Sequence, residues 1–162
     1  MIDDQIQIPI EKYVMSNKGS IKLNDVVILE LKECHIKSTP NTKKLNVMNC
    51  SSELERKTSY SNEIQFKINK VYTRFKRTLL DNAKDLKETV FTFEGACQND
   101  AGKEERYEID DCVLKGDINW LDLVADGDFM EETYTLGFLL ENMKFTDVIS
   151  DGKDWKSGED EW

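Results

Sequence analysis

Apolar and polar residues alternate along much of this chain, and that pattern predicts a protein built mainly of β-strands. In residues 63–70, Ile64, Phe66 and Ile68 face one way, while charged and amide side chains face the other. Residues 132–145 carry a second long apolar stripe, made of Tyr134, Leu136, Phe138 and Leu140. A strand with one apolar face packs that face against a hydrophobic core. Both segments are therefore predicted to pack against a core.

Further strands are predicted where alternating segments lie between turn residues. They occupy residues 20–23, 26–36, 89–97 and 105–114, and residues 118–124 form a short additional pairing segment. Turns are predicted at Asn24-Asp25, at residues 99–102 and at residues 126–128. Asn, Asp and Gly favour these positions because they adopt the backbone angles that tight turns require.

One helix is predicted at residues 71–86, where Val71, Phe75, Leu79 and Leu86 recur at helical spacing. The order of elements is therefore strands, one helix, then strands. This order favours an antiparallel β-sandwich or barrel with a single peripheral α-helix. A doubly wound parallel sheet would need helices between its strands, so the predicted fold class is mainly β with one helix.

The chain of 162 residues fits one domain with polar extensions. The predicted domain spans residues 1–146 and begins with an N-terminal arm at residues 1–19. Residues 37–62 are rich in Ser, Thr, Asn and Lys and predict a long loop, which in a compact domain is functional or orders only against a partner. Residues 147–162 form an acidic tail with six acidic residues against two lysines.

The charge balance argues against nucleic acid as a ligand. The chain has 32 Asp and Glu against 22 Lys and Arg, a formal net charge of -10, whereas phosphate binding relies on basic side chains. A basic cluster at Lys70, Arg74, Lys76 and Arg77 lies on the predicted helix. We interpret this cluster as a solvated face or as a contact for an acidic neighbour.

No motif predicts catalysis or a bound metal. The single histidine, His35, follows Cys34 in a predicted strand, so the two side chains point to opposite faces and cannot form a dyad. The four cysteines lack C-x-x-C spacing, and the Asp126-Gly127-Asp128 turn lacks the rest of a calcium loop. We therefore assign no catalytic, cofactor-binding or metal-binding residue and expect no cofactor.

Targeting signals are not evident either. The sequence MIDDQIQIPI lacks the basic region of a signal peptide, and no run approaches the ~18 apolar residues that a membrane span needs. We expect a soluble cytoplasmic product with reduced thiols and no membrane partner.

The C-terminal half carries a resemblance to a known family. In ERYEIDDCVLKGDINWLDLVADGDFMEETYTLGFLLENMKF, a Y-x-I-x-D-C-x-L strand precedes a short segment, an acidic M-E-E and a long alternating strand. This layout resembles the tube protein of contractile phage tails and of phage-tail-like bacteriocins, with the Hcp-like tube fold. The resemblance covers residues 20–145, because the order of the upstream predicted elements agrees as well.

The resemblance implies a structural, self-assembling protein and not an enzyme. Six copies would form a ring, each giving four strands to a barrel around a channel, and rings would stack into a tube inside a virion tail or a released tail-like particle. The implied partners are further copies, a tail sheath protein, a tape-measure protein, and baseplate and terminator proteins. The channel could carry DNA without binding it specifically.

Two groups of residues are predicted to act in that assembly. The apolar stripes are the predicted self-assembly residues: Ile64, Phe66, Ile68, Tyr134, Leu136, Phe138 and Leu140. The long loop is predicted to lie between rings, with the contact residues Lys43, Lys44, Leu45, Val47 and Leu54. Strand edges that would be an aggregation hazard in a monomer are removed when copies close into a ring.

Three other functions remain open at this stage. A ring, hub or secretion-system tube protein of the same fold would stop at discrete rings or form its own tube. A ligand-binding β-barrel would be a monomer with an apolar cavity. An enzyme would depend on His35, the only histidine in the chain.

Overall fold

The computed structural model describes residues 7–152, and within that range the chain forms eight β-strands and one α-helix. The strands are β1 (Val14–Leu23), β2 (Val26–Val27), β3 (Leu31–Asn46), β4 (Glu53–Asn69), β5 (Val90–Asn99), β6 (Glu104–Lys115), β7 (Glu131–Gly137) and β8 (Met143–Asp147). The helix is α1 (Lys76–Lys84), and 3₁₀ turns lie at Ile10–Lys12 and Leu140–Asn142. The predicted fold class, mainly β and antiparallel with one helix, is confirmed.

All eight strands belong to one antiparallel sheet in the order β2-β1-β5-β6-β7-β4-β3, and β8 joins it beside β6. One edge of β6 therefore has two partners, since residues 106–109 pair with β8 and residues 113–115 pair with β7. Asp111 lies between these two stretches with a left-handed φ of 53°. The sheet branches at this irregularity, and bulges of this kind bend a strand. The branching sheet therefore folds over its own apolar face.

The apolar faces of the strands meet in one core inside the folded sheet. Its largest fully buried side chains are Phe66, Phe93, Leu23, Ile64, Ile68, Leu79, Ile109, Leu136 and Cys112. These residues come from both halves of the chain, so neither half has a complete core alone. Each large apolar side chain contributes about 1.5–3 kcal/mol when it is buried, and this core is therefore the main source of stability.

The helix is shorter than the predicted span of residues 71–86. Val71 and the two residues after it are β-branched or aromatic and favour helices weakly. Arg74 is held instead by Glu30, with Nη2 donating to Oε2 at 2.9 Å. The helix ends before Leu86, which has a left-handed φ of 55°. Leu79 attaches α1 to the core because its side chain is only 1% exposed.

The predicted strand at residues 26–36 is interrupted. The predicted Asn24-Asp25 turn is present, with φ values of 49° and 66°. β2 then ends after Val27, because the chain turns inward to bury Ile28 and the carboxylate of Glu30. The backbone N–H of Ile28 donates to the carbonyl of Ile21 at 3.1 Å, and β3 begins after this turn.

Residues 37–62 form two paired strands, so the predicted loop is corrected to a hairpin. The β3–β4 ladder continues from the core out to Asn46 opposite Glu53, with one register shift in the arm between Asn41 and Thr42. We call residues 38–61 the arm, and every one of them is exposed. Pro40 is tolerated there because β3 is an edge strand, where a missing N–H leaves no ladder bond open. Asn41 Nδ2 ties the two strands together by donating to Ser59 Oγ at 3.0 Å.

Other predicted boundaries also change. Residues 118–124 form no strand, and the predicted strand at 132–145 is divided into β7 and β8 by the 3₁₀ turn at Leu140–Asn142. β1 begins at Val14, within the predicted N-terminal arm of residues 1–19. Residues 1–6 of that arm and residues 153–162 of the predicted acidic tail lie outside the described range. Within the described range, no helix has the length and apolar character that crossing a membrane requires.

Candidate self-assembly surfaces

The two predicted self-assembly stripes meet inside the protomer. Ile64 lies opposite Leu136 and Phe66 lies opposite Tyr134 in the β4–β7 pair. Along with Ile68 and Phe138, these side chains are at most 7% exposed, and they form much of the protomer's own core. Leu140, in a 3₁₀ turn, is 37% exposed. The stripes thus hold β4 and β7 in place, and the part that these strands take in a ring stays a prediction.

A buried carboxylate stabilises one end of the same strands. Glu132 is 6% exposed, and its Oε1 lies 2.9 Å from Lys70 Nζ and 3.2 Å from Lys76 Nζ. Tyr134 Oη donates to its Oε2. Burial opposes ionisation, but hydrogen bonds from Tyr134, Lys70 and Lys76 outweigh it and lower the pKa of Glu132. Two of the basic residues predicted to lie on a solvated helix face are therefore bound to this carboxylate.

The outer face of the sheet is a network of ion pairs. Glu63 of β4 contacts Lys37 of β3 at 3.3 Å and Lys115 of β6 at 3.5 Å. Lys67 of β4 contacts Glu33 of β3 at 3.4 Å. The hydrogen bond from Lys37 is the main reason that the pKa of Glu63 is lowered. This face carries both signs of charge in contact, and it is not the uniformly acidic face that the net charge alone would indicate.

Opposite ends of the sheet order have open strand edges. β3 pairs only with β4, and its outer edge has no strand partner among the described residues. β2 covers Lys22 and Leu23 of β1, and the Ile21 carbonyl accepts from Ile28. The outer edge of β1 before Ile21 has no strand partner within residues 7–152. Between these two edges lies an apolar cleft of about 930 Å³, lined by Ile36 and Phe93 among others. Open edges of this kind accept further strands.

One face of the arm is cationic and apolar. Lys43 lies directly opposite Arg56, and Leu45 lies directly opposite Leu54. Side chains two positions apart on a strand share a face, so these four residues form one surface, which we call the cationic face of the arm. Leu45 is 55% exposed and Leu54 is 60% exposed.

The other face of the arm is neutralised within the hairpin. Lys44 lies opposite Glu55, and its ammonium lies 3.6 Å from a carboxylate oxygen of Glu53. All five residues predicted as inter-ring contacts are exposed in the hairpin: Lys43, Lys44, Leu45, Val47 and Leu54. The structure therefore presents these side chains to solvent, and the ring that they would contact stays a prediction.

An irregular segment between β6 and β7 combines acidic and exposed apolar side chains. Residues 116–130, which we call the acidic segment, contain four aspartates and no lysine or arginine. Leu121, Leu123 and Phe129 are 66%, 75% and 90% exposed. The segment is attached to the helix by Lys76 Nζ, which donates to the carbonyl of Trp120 at 2.6 Å. Clustered exposed apolar side chains commonly mark a surface for a partner.

The residues considered for chemistry are dispersed. Cys34 packs against the core, whereas His35 lies on the opposite face with a side chain 68% exposed. Burial raises the pKa of the Cys34 thiol to about 12. No group of three or more His, Cys, Asp or Glu residues in the described part of the chain could hold a metal ion.

The sequence predicts the contact residues of the arm but not its hairpin, and it does not predict the acidic segment as a surface. The sequence pattern predicts a loop for the arm, although residues 53–62 contain neither Gly nor Pro and run directly into the predicted strand at 63–70. For the acidic segment, the sequence pattern predicts a short strand at residues 118–124 and a turn at residues 126–128. Its apolar residues Ile118, Trp120, Leu121, Leu123 and Val124 fit neither a two-residue nor a helical period, which is the signal of an irregular segment.

Comparisons with known proteins identify solved structures of the same fold. No protein-family model and no curated protein sequence matches this chain. A chain of the anti-feeding prophage cap, a tube terminating cap, superposes with a TM-score of 0.64 at 10% identity, covering 91% of this chain and 100% of that chain. A chain of the anti-feeding prophage baseplate gives a TM-score of 0.60 at 9% identity, covering 88% and 99% of the two chains.

An extracellular contractile injection system supplies a third similar structure. A chain of its PVC sheath/tube terminator in the extended state gives a TM-score of 0.58 at 12% identity, covering 88% of this chain and 98% of that chain. Likeness at such low identity establishes a shared fold. The chain therefore has the fold of components of contractile injection systems.

Proposed function

We propose that this chain is a structural subunit of the inner tube of a contractile tail or tail-like particle, with an Hcp-like tube fold and no enzymatic role. Copies form six-membered rings, and the rings stack along one axis around a channel. The observation that carries the proposal is the pair of open strand edges, on β3 and β1, in a fold shared with contractile injection system components.

Ring closure explains the open edges. A long unpaired edge exposes backbone N–H and C=O groups that pair readily with another strand. When each copy places one edge against the other edge of its neighbour, a closed ring leaves no edge free. The contact joins two different surfaces, so rotation closes the ring and translation adds the next one.

The ion-paired face of the sheet is the face we assign to the channel. The opposite face of β4 and β7 is filled by Phe66, Tyr134 and the rest of the core, so it is closed to a passing molecule. Glu63 and Lys67 lie on the outer face, where each contacts oppositely charged neighbours. A lining whose charges are already paired has little net attraction for DNA or for another charged cargo.

The remaining partners follow from a place in the tube. A tail sheath protein would surround the outside, a tape-measure protein would fill the channel during assembly, and baseplate and terminator proteins would cover the two ends. Assembly would take place in the bacterial cytoplasm, before the particle is complete. Each of these contacts is part of the proposal.

A terminator or cap subunit is the second candidate function. It is favoured by the anti-feeding prophage cap, which superposes over 91% of this chain. The two candidates differ in the product of self-assembly. A tube subunit extends into long tubes, whereas a cap subunit stops at a discrete ring.

Negative-stain microscopy and sedimentation of the purified chain over a range of concentrations test the proposal. We expect hexameric rings that stack into tubes as concentration rises. Discrete rings at every concentration would favour the cap. A monomer at high concentration would overturn both and favour a ligand-binding barrel that uses the apolar cleft.

A shortened arm separates ring formation from stacking. Thr39 lies opposite Ser61, so replacing residues 40–60 with Asn-Gly joins a paired position through a two-residue hairpin turn. We expect this variant to keep its free energy of unfolding to within ~1 kcal/mol, because the deleted residues are exposed. It should form rings but no tubes, and tubes of normal length would show that the arm does not join rings.

A further inference from the structure

The arm and the acidic segment both carry charged side chains that have no ion-pair partner in the described part of the protomer. On the cationic face of the arm, Lys43 and Arg56 are like charges at directly opposite positions, an arrangement that destabilises a strand pair. Neither side chain forms an ion pair with any residue of the described range. The cationic face therefore has no acidic partner within the described range. Acidic side chains are in excess in the chain as a whole, whose net charge is -10.

The acidic segment has the complementary composition. Asp117, Asp122 and Asp126 are exposed, and none of them forms an ion pair within residues 7–152. Exposed leucines at 121 and 123 lie between these carboxylates, as Leu45 and Leu54 lie beside the cations of the arm. Both surfaces thus combine charge of one sign with apolar area, and the signs are opposite.

The two surfaces lie at opposite ends of the sheet. In the β4–β7 pair, Glu63 lies opposite Gly137 and Asn69 lies opposite Glu131. The arm continues β4 beyond the Glu63 end, whereas the acidic segment enters β7 at the Glu131 end. At ~3.3 Å per residue, the ten residues from Glu63 out to Glu53 carry the arm about 33 Å further away. The two surfaces therefore cannot meet within one copy.

We propose that the cationic face of the arm docks on the acidic segment of a second copy in the adjacent ring. This inference rests on the proposed tube function, and it names the surface that receives the arm. Leu45 and Leu54 pack among Leu121 and Leu123, while Lys43 and Arg56 face the aspartates. The contact joins two different surfaces at opposite ends of the subunit, so it repeats along the tube axis without closing on itself.

Charge reversal on each side, and on both sides together, tests this docking. Lys43→Glu/Arg56→Glu and Asp122→Lys/Asp126→Lys should each raise the concentration needed for tube formation about tenfold or more, because like charges then face each other. The four substitutions together restore the charge match and should return that concentration close to the wild-type value. Sedimentation of the full chain measures it, and circular dichroism confirms that each variant is folded.

Matched controls separate local contact from net charge. Lys84→Glu/Lys87→Glu and Asp81→Lys/Asp85→Lys change the net charge by the same amounts at exposed positions in and beside α1. Both controls should assemble within about twofold of the wild type. Rising salt should weaken stacking in the wild type, since it screens the attraction between the surfaces.

Each outcome distinguishes the docking from the proposed function. If the arm reversal prevents stacking but the aspartate reversal does not, the arm contacts another surface, and this docking is overturned while the tube proposal stands. Failure of the combined variant to recover, when both single-side variants are folded, overturns the docking as well. A wild-type chain that forms no rings overturns the tube proposal and this inference together.

Discussion

Strands β3 and β4 pass through two regions of the molecule with different sources of stability. In the body of the sheet, Ile64, Phe66 and Ile68 are 0%, 2% and 1% exposed. In the arm, every residue is exposed on both faces of the hairpin. The β3–β4 ladder runs through both regions, but β4 pairs with β7 as well in the body. The two regions therefore differ in their strand partners and in what the side chains contact.

This difference separates folding from assembly within one hairpin. The body is stabilised by the protomer's own core. The arm is stabilised by cross-strand contacts, such as Asn41 Nδ2 with Ser61 Oγ at 3.1 Å, and by its continuity with the body. A two-stranded hairpin alone is only marginally stable in water, so the arm contributes little to the folding of one copy. Folding of the protomer therefore places few constraints on the side chains of the arm, and they can serve contact with another copy.

The largest effect is expected in the body. Phe66→Ala removes a ring that packs against Tyr134, with centroids 5.4 Å apart, and should lower the free energy of unfolding by about 3–5 kcal/mol. Tyr60→Ala, on the same strand but in the arm, should change it by less than ~0.5 kcal/mol. Urea denaturation measures both. Similar losses for the two variants would contradict the division between body and arm.

An intermediate effect is expected at Glu132, where the body is held by charge. Glu132→Gln leaves Lys70 and Lys76 without their carboxylate and should lower the free energy of unfolding by about 1–3 kcal/mol at neutral pH. Both lysines keep some exposure to solvent, which moderates the loss. A change below ~0.5 kcal/mol would show that the ion pairs do not support this end of the sheet.

The stability difference between the wild type and Glu132→Gln should depend on pH in a definite direction. Because the folded protein lowers the pKa of Glu132, its ionised form adds stability that is complete above 4.5, the ordinary carboxyl value. That stability is lost as pH falls through the lower folded value. The difference in unfolding free energy between wild type and Glu132→Gln should therefore narrow below pH 4.5. A constant difference down to strongly acidic pH would contradict the assignment.

The smallest effect on stability is expected in the arm, at Cys50. This thiol is exposed, whereas Cys34 and Cys112 each have a pKa raised to about 12, mainly by burial. The thiolate is the reactive form, so an alkylating reagent at neutral pH should modify Cys50 first by a factor of ten or more. Mass spectrometry follows the reaction. Labelling should leave unfolding unchanged and should become slower in assembled tubes, and an equal rate in both states would place the arm outside the contact.

The same contrast explains which features could be predicted from sequence. The stripes of β4 and β7 are visible because each strand covers the core with one face, and that leaves a two-residue period. The arm buries neither face, so its strands carry no such period, and only their continuity with Ile64 and Phe66 indicates pairing.

Long-range contacts account for the other misplaced elements. The start of α1 depends on Arg74 binding Glu30, which is 44 residues earlier in the chain. The course of the acidic segment depends on Lys76 binding the carbonyl of Trp120. Such contacts join residues that the folded sheet brings together, so they leave no periodic pattern in the local sequence. The expectation that the chain has no catalytic constellation rests on its lack of motifs and on the position of its single histidine, His35.

Because the arm is a hydrogen-bonded ladder before any second copy arrives, it also affects the kinetics of tube elongation. A disordered segment would lose about 1–2 kcal/mol of backbone entropy per residue at the moment of binding. In this chain that loss accompanies folding, from Ser38 opposite Asn62 to Asn46 opposite Glu53. Incoming subunits should therefore add at the rates of rigid docking, on the order of 10⁵–10⁷ M⁻¹s⁻¹, without waiting for a coupled folding step.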